Sequence, residues 1–314
     1  MIYTVTFNPA IDCVMRASAV RPGHVNRAES QEIYFGGKGV NVSEVLAELG
    51  CASTAWGFVA GFTGAALEAA LRADGIATDF VRLPAGSTRI NMKLGIAREG
   101  GGPLEETALN ARGPEVDADS LAAFFGKLAQ VGADDVVVLS GALPAGMPAD
   151  AYARIMGALA PSGARVGVDA TGETLRSVLP YRPFLVKPND EELAALASCD
   201  AHDEAALEAA ARDLAGKGAR NVLVSRGAAG SFLLDETGTL RSAPVVEGTL
   251  VNSVGAGDSM VAGFVAGYLL ACAAGATDPY DDAFKLAQAC GSATAFAPGL
   301  ATASDISAVR ARLS

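Results

Sequence analysis

The segment from 250 to 259 places an acid directly after a glycine-rich turn. Gly255 and Gly257 precede Asp258, which begins a long apolar stretch that predicts a helix. A glycine-rich turn at a helix start presents unpaired backbone N–H groups and the positive end of the helix dipole, which suits an anion. Asp258 beside such a pocket could accept the proton of an attacking hydroxyl group. Taken alone, the pattern also fits an aspartate that only caps the helix.

A second glycine-rich turn, Gly36-Gly37-Lys38-Gly39, leads into another predicted helix. It contains neither the GxxxxGK[ST] pattern of a Walker A loop nor the GxGxxG pattern of a dinucleotide-binding loop. Lys38 and Asn41 could hold a phosphate and a sugar hydroxyl there. The alternative is an ordinary glycine-rich helix start.

Polar turns follow several predicted strands. They are Asn8-Pro9-Ala10-Ile11-Asp12, Ser140-Gly141-Ala142, Lys187-Pro188-Asn189 and Ser225-Arg226-Gly227. Ligands bind at the carboxyl ends of the strands in open α/β sheets. Each turn alone fits a plain connection, but together they predict a binding site at one edge of a sheet.

Arg89, Asn91 and Lys93 alternate along a predicted strand, so all three side chains share one face. In a net-acidic protein, such a face indicates binding of a compact anion. The alternative is a solvated strand.

Short β-branched apolar runs alternate with Ala- and Leu-rich helical stretches, which predicts an α/β fold with a mostly parallel sheet covered on both faces. The predicted strands are Ile2–Phe7, Thr54–Phe58, Asp135–Leu139, Arg165–Asp169, Phe184–Val186 and Asn221–Ser225. The predicted helices are Val40–Leu49, Ala65–Ala73, Ala118–Gln130, Ala149–Leu159, Glu191–Leu196, Asp203–Gly216, Asp258–Ala273 and Asp281–Ala297.

Two segments interrupt this alternation, at about 13–35 and 89–112. Both alternate around turn residues and predict β-ribbons inserted into the α/β core. The turn residues are Pro22-Gly23 in the first segment and Gly100-Gly101-Gly102-Pro103 in the second. Such ribbons form either a lid over a site or edge strands of the main sheet, and the sequence favours neither.

Composition excludes several classes of protein. The 314 residues include 24 Lys and Arg against 35 Asp and Glu, a net charge of −11, and half are hydrophobic. The apolar content excludes a disordered chain, and the acidic excess argues against nucleic acid as a partner.

The five cysteines are scattered without a zinc-binding spacing, which indicates reduced thiols in the cytoplasm. The start of the chain lacks a signal-peptide pattern. The uncharged run Ser259–Thr277 contains three glycines and is expected to be a buried helix rather than a membrane span.

Taken in order, these segments resemble the ribokinase-like (PfkB) carbohydrate kinases over nearly the whole chain. The run from Gly36 to Ser43 is similar to the N-terminal signature of that family, and the run from Asn252 to Gly263 to its C-terminal one. The resemblance implies a single domain over 1–314, with three α/β/α layers, a mostly parallel central sheet and a small β-sheet lid. It also implies a homodimer through that lid.

Three details resemble the phosphosugar branch of the family, which contains 1-phosphofructokinase and tagatose-6-phosphate kinase. They are the Asn8–Asp12 segment, the run from Thr88 to Lys93, and the Gly-Asp-Ser-Met sequence at 257–260. This resemblance implies ATP-dependent phosphorylation of a ketohexose monophosphate to a bisphosphate, with fructose 1-phosphate favoured. Tagatose 6-phosphate and fructose 6-phosphate stay open as substrates.

The resemblance also assigns roles to individual residues. Asp258 is the expected catalytic residue, with the anion hole formed at Gly255, Ala256 and Gly257. The sugar phosphate is expected to contact Asp12, Gly37, Lys38, Asn41, Arg89, Asn91, Lys93 and Ser140. The nucleotide is expected to contact Lys187, Ser225, Gly227, Gly230 and Ser292. Asn189 and Glu192, three residues apart, resemble a pair that organises Mg²⁺ through water.

Two further expectations concern electrostatics. Because Asp258 stands at a helix start, the helix dipole predicts a lowered pKa for its carboxyl group. Asn252 occupies the position where ribokinase-type members have an Asp linked to a monovalent cation, so the resemblance does not settle a K⁺ requirement.

Three other functions compete with the sugar-phosphate kinase. A kinase for an unphosphorylated sugar or nucleoside would not need Arg89 and Lys93, and a catalytically silent sensor of sugar phosphates would not need Asp258. A dehydrogenase is disfavoured because no GxGxxG follows the first strand.

Overall fold

A computed structural model of the chain describes residues 1–96 and 105–313. In these ranges the strands are β1 Ile2–Thr6, β2 Ala10–Ala17, β3 Ser30–Gly36, β4 Ser53–Val59, β5 Ala77–Thr78, β6 Val81–Arg82, β7 Arg89–Ile96, β8 Glu105–Leu109, β9 Val136–Ser140, β10 Arg165–Asp169, β11 Leu185–Val186, β12 Val222–Ser225, β13 Ser231–Leu234 and β14 Leu240–Ala243.

The helices over the same ranges alternate with most of these strands. They are α1 Lys38–Glu48, α2 Gly61–Ala73, α3 Ala118–Lys127, α4 Ala151–Leu159, α5 Gly172–Val178, α6 Asp190–Ala197, α7 Glu204–Gly216, α8 Ala256–Ala273, α9 Pro279–Phe296 and α10 Ala303–Arg310.

The larger sheet has the order β14-β13-β12-β11-β10-β9-β1-β4-β5, and β6 also pairs with β4. From β11 across to β4 the paired strands run parallel, so their carboxyl ends meet at one edge. The strands there are apolar on both faces, as β9 illustrates. Its Val137 and Leu139 pack in one hydrophobic cluster, and Val136 and Val138 pack in another.

These two clusters form the two interfaces between the sheet and its helices. Helices α3 to α7 cover one face of the sheet, and α1, α8, α9 and α10 cover the other. The three-layer α/β/α arrangement is therefore confirmed.

Most sequence-predicted elements are present with ends shifted by a few residues. Helices α5 and α10 and the antiparallel hairpin of β13 and β14 are not among the predictions. All three are short, and short elements carry a weak periodic signal. Two further strands, β5 and β6, have only two residues each and give no pattern at all.

A second sheet, which we call the lid sheet, has the order β3-β2-β7-β8. Its strands lie in or next to the two segments expected to be ribbons, and none of them pairs with the larger sheet. The alternative of edge strands in the main sheet is therefore wrong. The glycine-rich turn predicted inside the second ribbon, at 100–103, lies outside the described residues. The assignment of the whole chain to one domain stays a prediction.

Helix α8 is long and apolar enough to cross a membrane by length and composition. It is mostly buried, packed against α1 and α9, as the sequence predicts for this uncharged run. Core packing therefore accounts for its apolar composition.

The start of α1 is pressed against the carboxyl end of β1. The backbone N–H of Val40 donates a hydrogen bond to Thr6 Oγ1 at 2.9 Å. A Cβ atom on Gly39 would lie 2.6 Å from both Thr6 Oγ1 and the carbonyl oxygen of Val5. Only glycine allows this approach, which fixes the direction in which the second glycine-rich turn faces.

We therefore expect Gly39→Ala to lower the free energy of unfolding by about 1–3 kcal/mol, because the added methyl group collides with backbone. Urea unfolding measures this loss. The control is Gly126→Ala in α3, where a Cβ atom meets nothing within 4 Å. This exposed helical substitution should stabilise the chain by about 0.5–1 kcal/mol. Equal effects of the two substitutions would contradict the close approach.

Candidate active site

The two glycine-rich turns face each other across one cleft. Asn41 on α1 donates a hydrogen bond from Nδ2 to Asp258 Oδ2 on α8, with a distance of 2.8 Å. A Cβ atom on Gly255 would lie 3.7 Å from the same Asn41 amide nitrogen. The two predicted site segments, far apart in sequence, are thus joined at their polar side chains.

Asp258 does not cap its helix. The N-cap of α8 is Gly255, with a φ of 83° that glycine adopts without strain, and no side chain caps the helix. Asp258 lies in the first turn, buried, and its carboxylate points toward α1 rather than toward its own backbone. The interpretation of Asp258 as a helix cap is therefore wrong.

The expectation of a lowered pKa for Asp258 is also wrong. Burial, followed by the nearby negative charge of Asp169, raises the pKa of Asp258 to about 6. The hydrogen bond from Asn41 and the charges of Lys38 and Lys187 act in the opposite direction. The effect of the helix dipole on this carboxyl group is smaller than the effect of removing it from water.

The start of α8 offers free backbone donors. Among the described residues, the N–H groups of Gly257 and Asp258 have no hydrogen-bond acceptor, whereas that of Ala256 donates to Ser253 O at 3.3 Å. Unpaired donors at a helix start are a feature that suits an anion, and here they stand beside a buried acid. The anion hole itself stays a prediction.

Two lysines and a further acid complete this centre. Lys38 Nζ lies 2.9 Å from Asp169 Oδ2, and Lys187 Nζ lies 3.9 Å from Asp169 Oδ1. Burial disfavours the charged form of Lys38, but Asp169 outweighs it, so the pKa of Lys38 is raised. A Cβ atom on Gly257 would lie 3.0 Å from Lys187 Nζ, so this ammonium reaches the start of α8.

Asp169 is absent from the residues predicted for the site. It ends β10, and its partner in the parallel register is Ser140, a predicted residue at the end of β9. The sequence Asp169-Ala170-Thr171-Gly172 is a polar, glycine-containing turn after an apolar run, like the turns that were recognised. A polar, glycine-containing turn after an apolar strand is therefore the signal that identifies Asp169 as a site residue.

The predicted cations of the lid sheet lie around Asp12. Lys93 Nζ is 3.0 Å from Asp12 Oδ2, and Asn91 Nδ2 donates to Asp12 Oδ1 at 2.8 Å. Arg89 Nε donates to Asn8 O at 3.1 Å, and burial lowers the pKa of Arg89. Lys38, expected to share a phosphate with Arg89 and Lys93, instead pairs with Asp169. The structure therefore pairs the two lysines with different acids, and Arg89 with backbone carbonyl oxygens.

A cleft of 890 Å³ separates the lid sheet from α1. Asp12 and Lys93 line its lid side, Asn41 lines its floor, and the segment 298–302 closes a further side. Its size suits a small polar molecule. Acids outnumber cations in its lining, and Lys93 and Arg16 are the cations that line it on the lid side.

Two predicted sugar contacts lie at strand and helix ends. Gly37 is the N-cap of α1 and lies against Thr6. Ser140 is buried, and among the described residues its hydroxyl group has no hydrogen-bond partner. An unsatisfied buried hydroxyl is costly, so it favours a ligand or water at this position.

The predicted nucleotide contacts follow the neighbouring strands. Ser225 ends β12, and Gly227 and Gly230 form the turn into β13. A Cβ atom on Gly230 would lie 2.2 Å from the Ala243 carbonyl oxygen, so the turn packs tightly on β14. Ser292 is half-buried on α9, next to Gly291, which packs against the first turn of α8.

Asn189 and Glu192 form a reciprocal cap at the start of α6. Asn189 Oδ1 accepts from the Glu192 backbone at 2.7 Å, and Glu192 Oε2 accepts from the Asn189 backbone at 2.9 Å. Among the residues that the structure describes, no donor binds the second carboxylate oxygen of Glu192, and the charge of this group acts on Lys38. Within the described residues no cluster of three metal-ligating side chains exists. The pair therefore fits a Mg²⁺ ion held mainly by water and phosphate, as that ion prefers.

Asn252 uses its side chain locally. Nδ2 donates to Pro298 O at 3.1 Å, and Oδ1 accepts from Val254 N at 3.0 Å. The amide thus ties the turn before α8 to the segment after α9.

Comparison with known proteins agrees with this geometry. Residues 5–307 match the family described as pfkB family carbohydrate kinase. The chain is 38% identical to a 1-phosphofructokinase of Bacillus subtilis over 96% of this chain and 95% of the relative. It is 35% identical to a D-tagatose-1-phosphate kinase of Bacillus licheniformis over 98% of this chain and 96% of the relative. The structure of Escherichia coli phosphofructokinase-2 in complex with fructose-6-phosphate aligns with a TM-score of 0.86 at 26% identity, covering 99% of this chain and 98% of the other.

The fold and the site define a phosphotransferase that uses an alcohol group as acceptor. The chain belongs to the pfkB family of carbohydrate kinases. The ribokinase-like fold and the family expected from the two signatures are thereby confirmed.

The raised pKa of Asp258 has a consequence for stability. Between about pH 4 and 6 the folded protein keeps a proton that the unfolded chain has lost, so stability falls as the pH rises through this window. Asp258→Asn removes this fall. We expect its free energy of unfolding, relative to the parent chain, to be higher at about pH 7.5 than at about pH 4.

Urea unfolding at the two pH values measures this difference. The control is Asp235→Asn, a buried acid paired with Arg241 away from the site. Its loss should destabilise the fold at neutral pH, because it deprives Arg241 of a partner. A gain for Asp258→Asn that does not change with pH would contradict the pKa assignment.

Proposed function

We propose that this protein transfers a phosphoryl group from ATP to a ketohexose monophosphate and forms a bisphosphate. Fructose 1-phosphate is the favoured acceptor, and its 6-hydroxyl group is the attacking group. The observation that carries the proposal is the buried Asp258, hydrogen-bonded to Asn41 and adjacent to unpaired N–H groups of α8. An acid beside unpaired backbone donors, hydrogen-bonded to a residue that lines the cleft, suits transfer of phosphate to a hydroxyl.

In this mechanism the hydroxyl oxygen attacks the terminal phosphorus of ATP, and the bond from that phosphorus to its bridging oxygen breaks. The hydroxyl proton passes to Asp258. With a pKa near 6, Asp258 is mostly ionised at neutral pH and is a stronger base than an ordinary aspartate. The free N–H groups of Gly257 and Asp258 stabilise negative charge on the transferring group.

Lys187 and Lys38 neutralise the remaining phosphate charge from the floor of the site. Asn189 and Glu192 would hold Mg²⁺ through water, and the ion would supply further charge neutralisation to the ATP phosphates. The turn at Ser225, Gly227 and Gly230, together with Ser292, borders the nucleotide.

The acceptor preference rests on the lid sheet. Arg89 and Lys93 supply positive charge next to Asp12, which would accept hydrogen bonds from sugar hydroxyls. An unphosphorylated sugar has no group for these cations. Both curated relatives are named for substrates with the phosphate on carbon 1, which supports a 1-phosphate over tagatose 6-phosphate or fructose 6-phosphate.

A coupled assay of ADP release tests the reaction. Fructose 1-phosphate should raise turnover well above basal ATP hydrolysis and more than tagatose 6-phosphate, fructose 6-phosphate or fructose. Asp258→Asn should lower kcat by about 10²-fold to 10⁴-fold, because it removes the proton acceptor.

Arg89→Gln combined with Lys93→Gln should raise KM for the phosphosugar and leave the KM for ATP unchanged.

A sensor would bind the sugar phosphate without turnover, so ligand binding with no ADP release would reject the kinase. A neutral sugar as the best substrate would reject only the phosphosugar assignment.

We also propose a homodimer through the outer face of the lid sheet, the face turned away from Asp12 and Lys93. One register row on this face joins Ile33, Cys13, Met92 and Leu109. Ile33 is 46% exposed, Met92 39% and Leu109 65%. An apolar row of this kind on an open sheet face favours burial against a second copy.

Leu109→Asp should dissociate the dimer, because it places a carboxylate in the apolar row. Light scattering during size exclusion measures the mass. The control is Leu270→Asp at the far end of α8, which is also about half exposed and should keep the dimer. A parent chain that elutes as a monomer would contradict the proposed assembly.

The proposed setting is the cytoplasm, with small molecules as the substrates. Neither nucleic acid nor a membrane is a proposed partner, since the chain has an excess of acids and its apolar helix α8 is packed in the core. A K⁺ requirement is not part of the proposal.

A further inference from the structure

Four charged side chains meet where β10, β11, α1 and α8 converge. They are two acids, Asp169 and Asp258, and two lysines, Lys38 and Lys187. The charges of these four side chains sum to zero, and the charge of Glu192 also acts on Lys38. Asp169 is the member that forms ion pairs with both lysines.

Asp169 is buried, with 1% of its surface exposed, and yet it is only partly satisfied. Its Oδ2 atom binds the Lys38 ammonium at 2.9 Å, whereas Oδ1 has no hydrogen-bond partner among the described residues. A buried carboxylate oxygen without a donor carries a desolvation cost, and an acid kept only for stability would be expected to avoid it.

Lys187, unlike Lys38, forms no hydrogen bond with Asp169. Its side chain is 6% exposed, and its ammonium lies 3.9 Å from Asp169, too far for a hydrogen bond. Among the described residues no acceptor binds this ammonium, and it reaches the first turn of α8. Its three N–H donors are therefore available to an incoming anion, while Lys38 is tied in place.

We propose that Asp169 is a positioning residue of the transfer reaction, whose carboxylate fixes Lys38 and orients the Lys187 ammonium toward a phosphate at the start of α8. This inference rests on the proposed kinase function. Asp169 touches neither substrate in this role. It acts through the two lysines and through its negative charge on Asp258.

The groups that face Asp258 come from every element packed around it. Asn41 and Lys38 belong to α1, Asp169 to β10, and Lys187 follows β11. Asp169 raises the pKa of Asp258, and Lys38 and Lys187 lower it. Removing the negative charge of Asp169 should therefore move the acid side of the pH–rate profile to lower pH. Removing the positive charge of Lys38 should move it to higher pH.

The experiment compares Asp169→Asn with the parent enzyme. The substitution keeps the shape and removes the charge. We expect KM for ATP to rise by about tenfold, because the lysines lose their anchor, and the acid-side midpoint of kcat/KM to fall by about half a pH unit or more. Lys38→Met should move the same midpoint upward, and the double variant should return it toward the parent value.

The matched control is Asp235→Asn, which also removes a buried, ion-paired acid but lies in the turn between β13 and β14. It should leave both the midpoint and KM for ATP unchanged. An Asp169→Asn enzyme that is merely less active, with the parent midpoint and KM, would overturn the inference. If Asp169→Asn does not fold, the midpoint of Lys38→Met decides: an unshifted midpoint would also overturn it.

These outcomes are separate from those that test the proposed function. A parent enzyme without sugar-dependent turnover rejects the kinase, whatever Asp169 does. An active parent with an unshifted Asp169→Asn profile rejects only the role of Asp169.

Discussion

The hydrogen bond between Asn41 and Asp258 is the interaction on which the site depends. It joins the first turns of α1 and α8, two helices on the same face of the sheet, and it fixes where the buried carboxylate points. The close packing of Gly39 on the end of β1 holds one side of this contact, and the positive φ of Gly255 lets the other chain segment turn toward it.

Around this contact acids are paired with lysines. Asp169 pairs with Lys38 and lies near Lys187, and in the lid Asp12 pairs with Lys93. A protein with a net charge of −11 can thus present positive charge to an anionic ligand, because the local charge at these positions differs from that of the whole surface. The Asp169 carboxylate is almost fully buried, so water screens its interactions poorly.

Much of the fold was predictable because its signals are local. Apolar runs such as Val136–Leu139 and glycine-rich helix starts are readable from a few adjacent residues, and parallel strands then place their ends together. The two ribbons were also recognisable, but their pairing into a separate sheet depends on contacts between β2 and β7, which lie about 80 residues apart in the chain.

The site was only partly predictable for a related reason. The residue types and turns indicated Asp258, Lys187 and Lys38, but the partner of each lysine depends on how the strands align. Asp169 was missed although its turn fits the pattern, and the pKa of Asp258 was predicted in the wrong direction because burial of a side chain cannot be read from its neighbours in sequence. The pairing of Lys38 with Asp169, rather than with the lid, follows from the same three-dimensional placement.

The most direct test of the account is a crystal structure with a ketohexose phosphate and a non-hydrolysable ATP analogue bound together. The account predicts the acceptor hydroxyl within about 3 Å of the Asp258 carboxylate, and the terminal phosphate of the analogue at the free N–H groups of Gly257 and Asp258. A sugar bound with every hydroxyl beyond the reach of Asp258, or a nucleotide phosphate away from the start of α8, would contradict it.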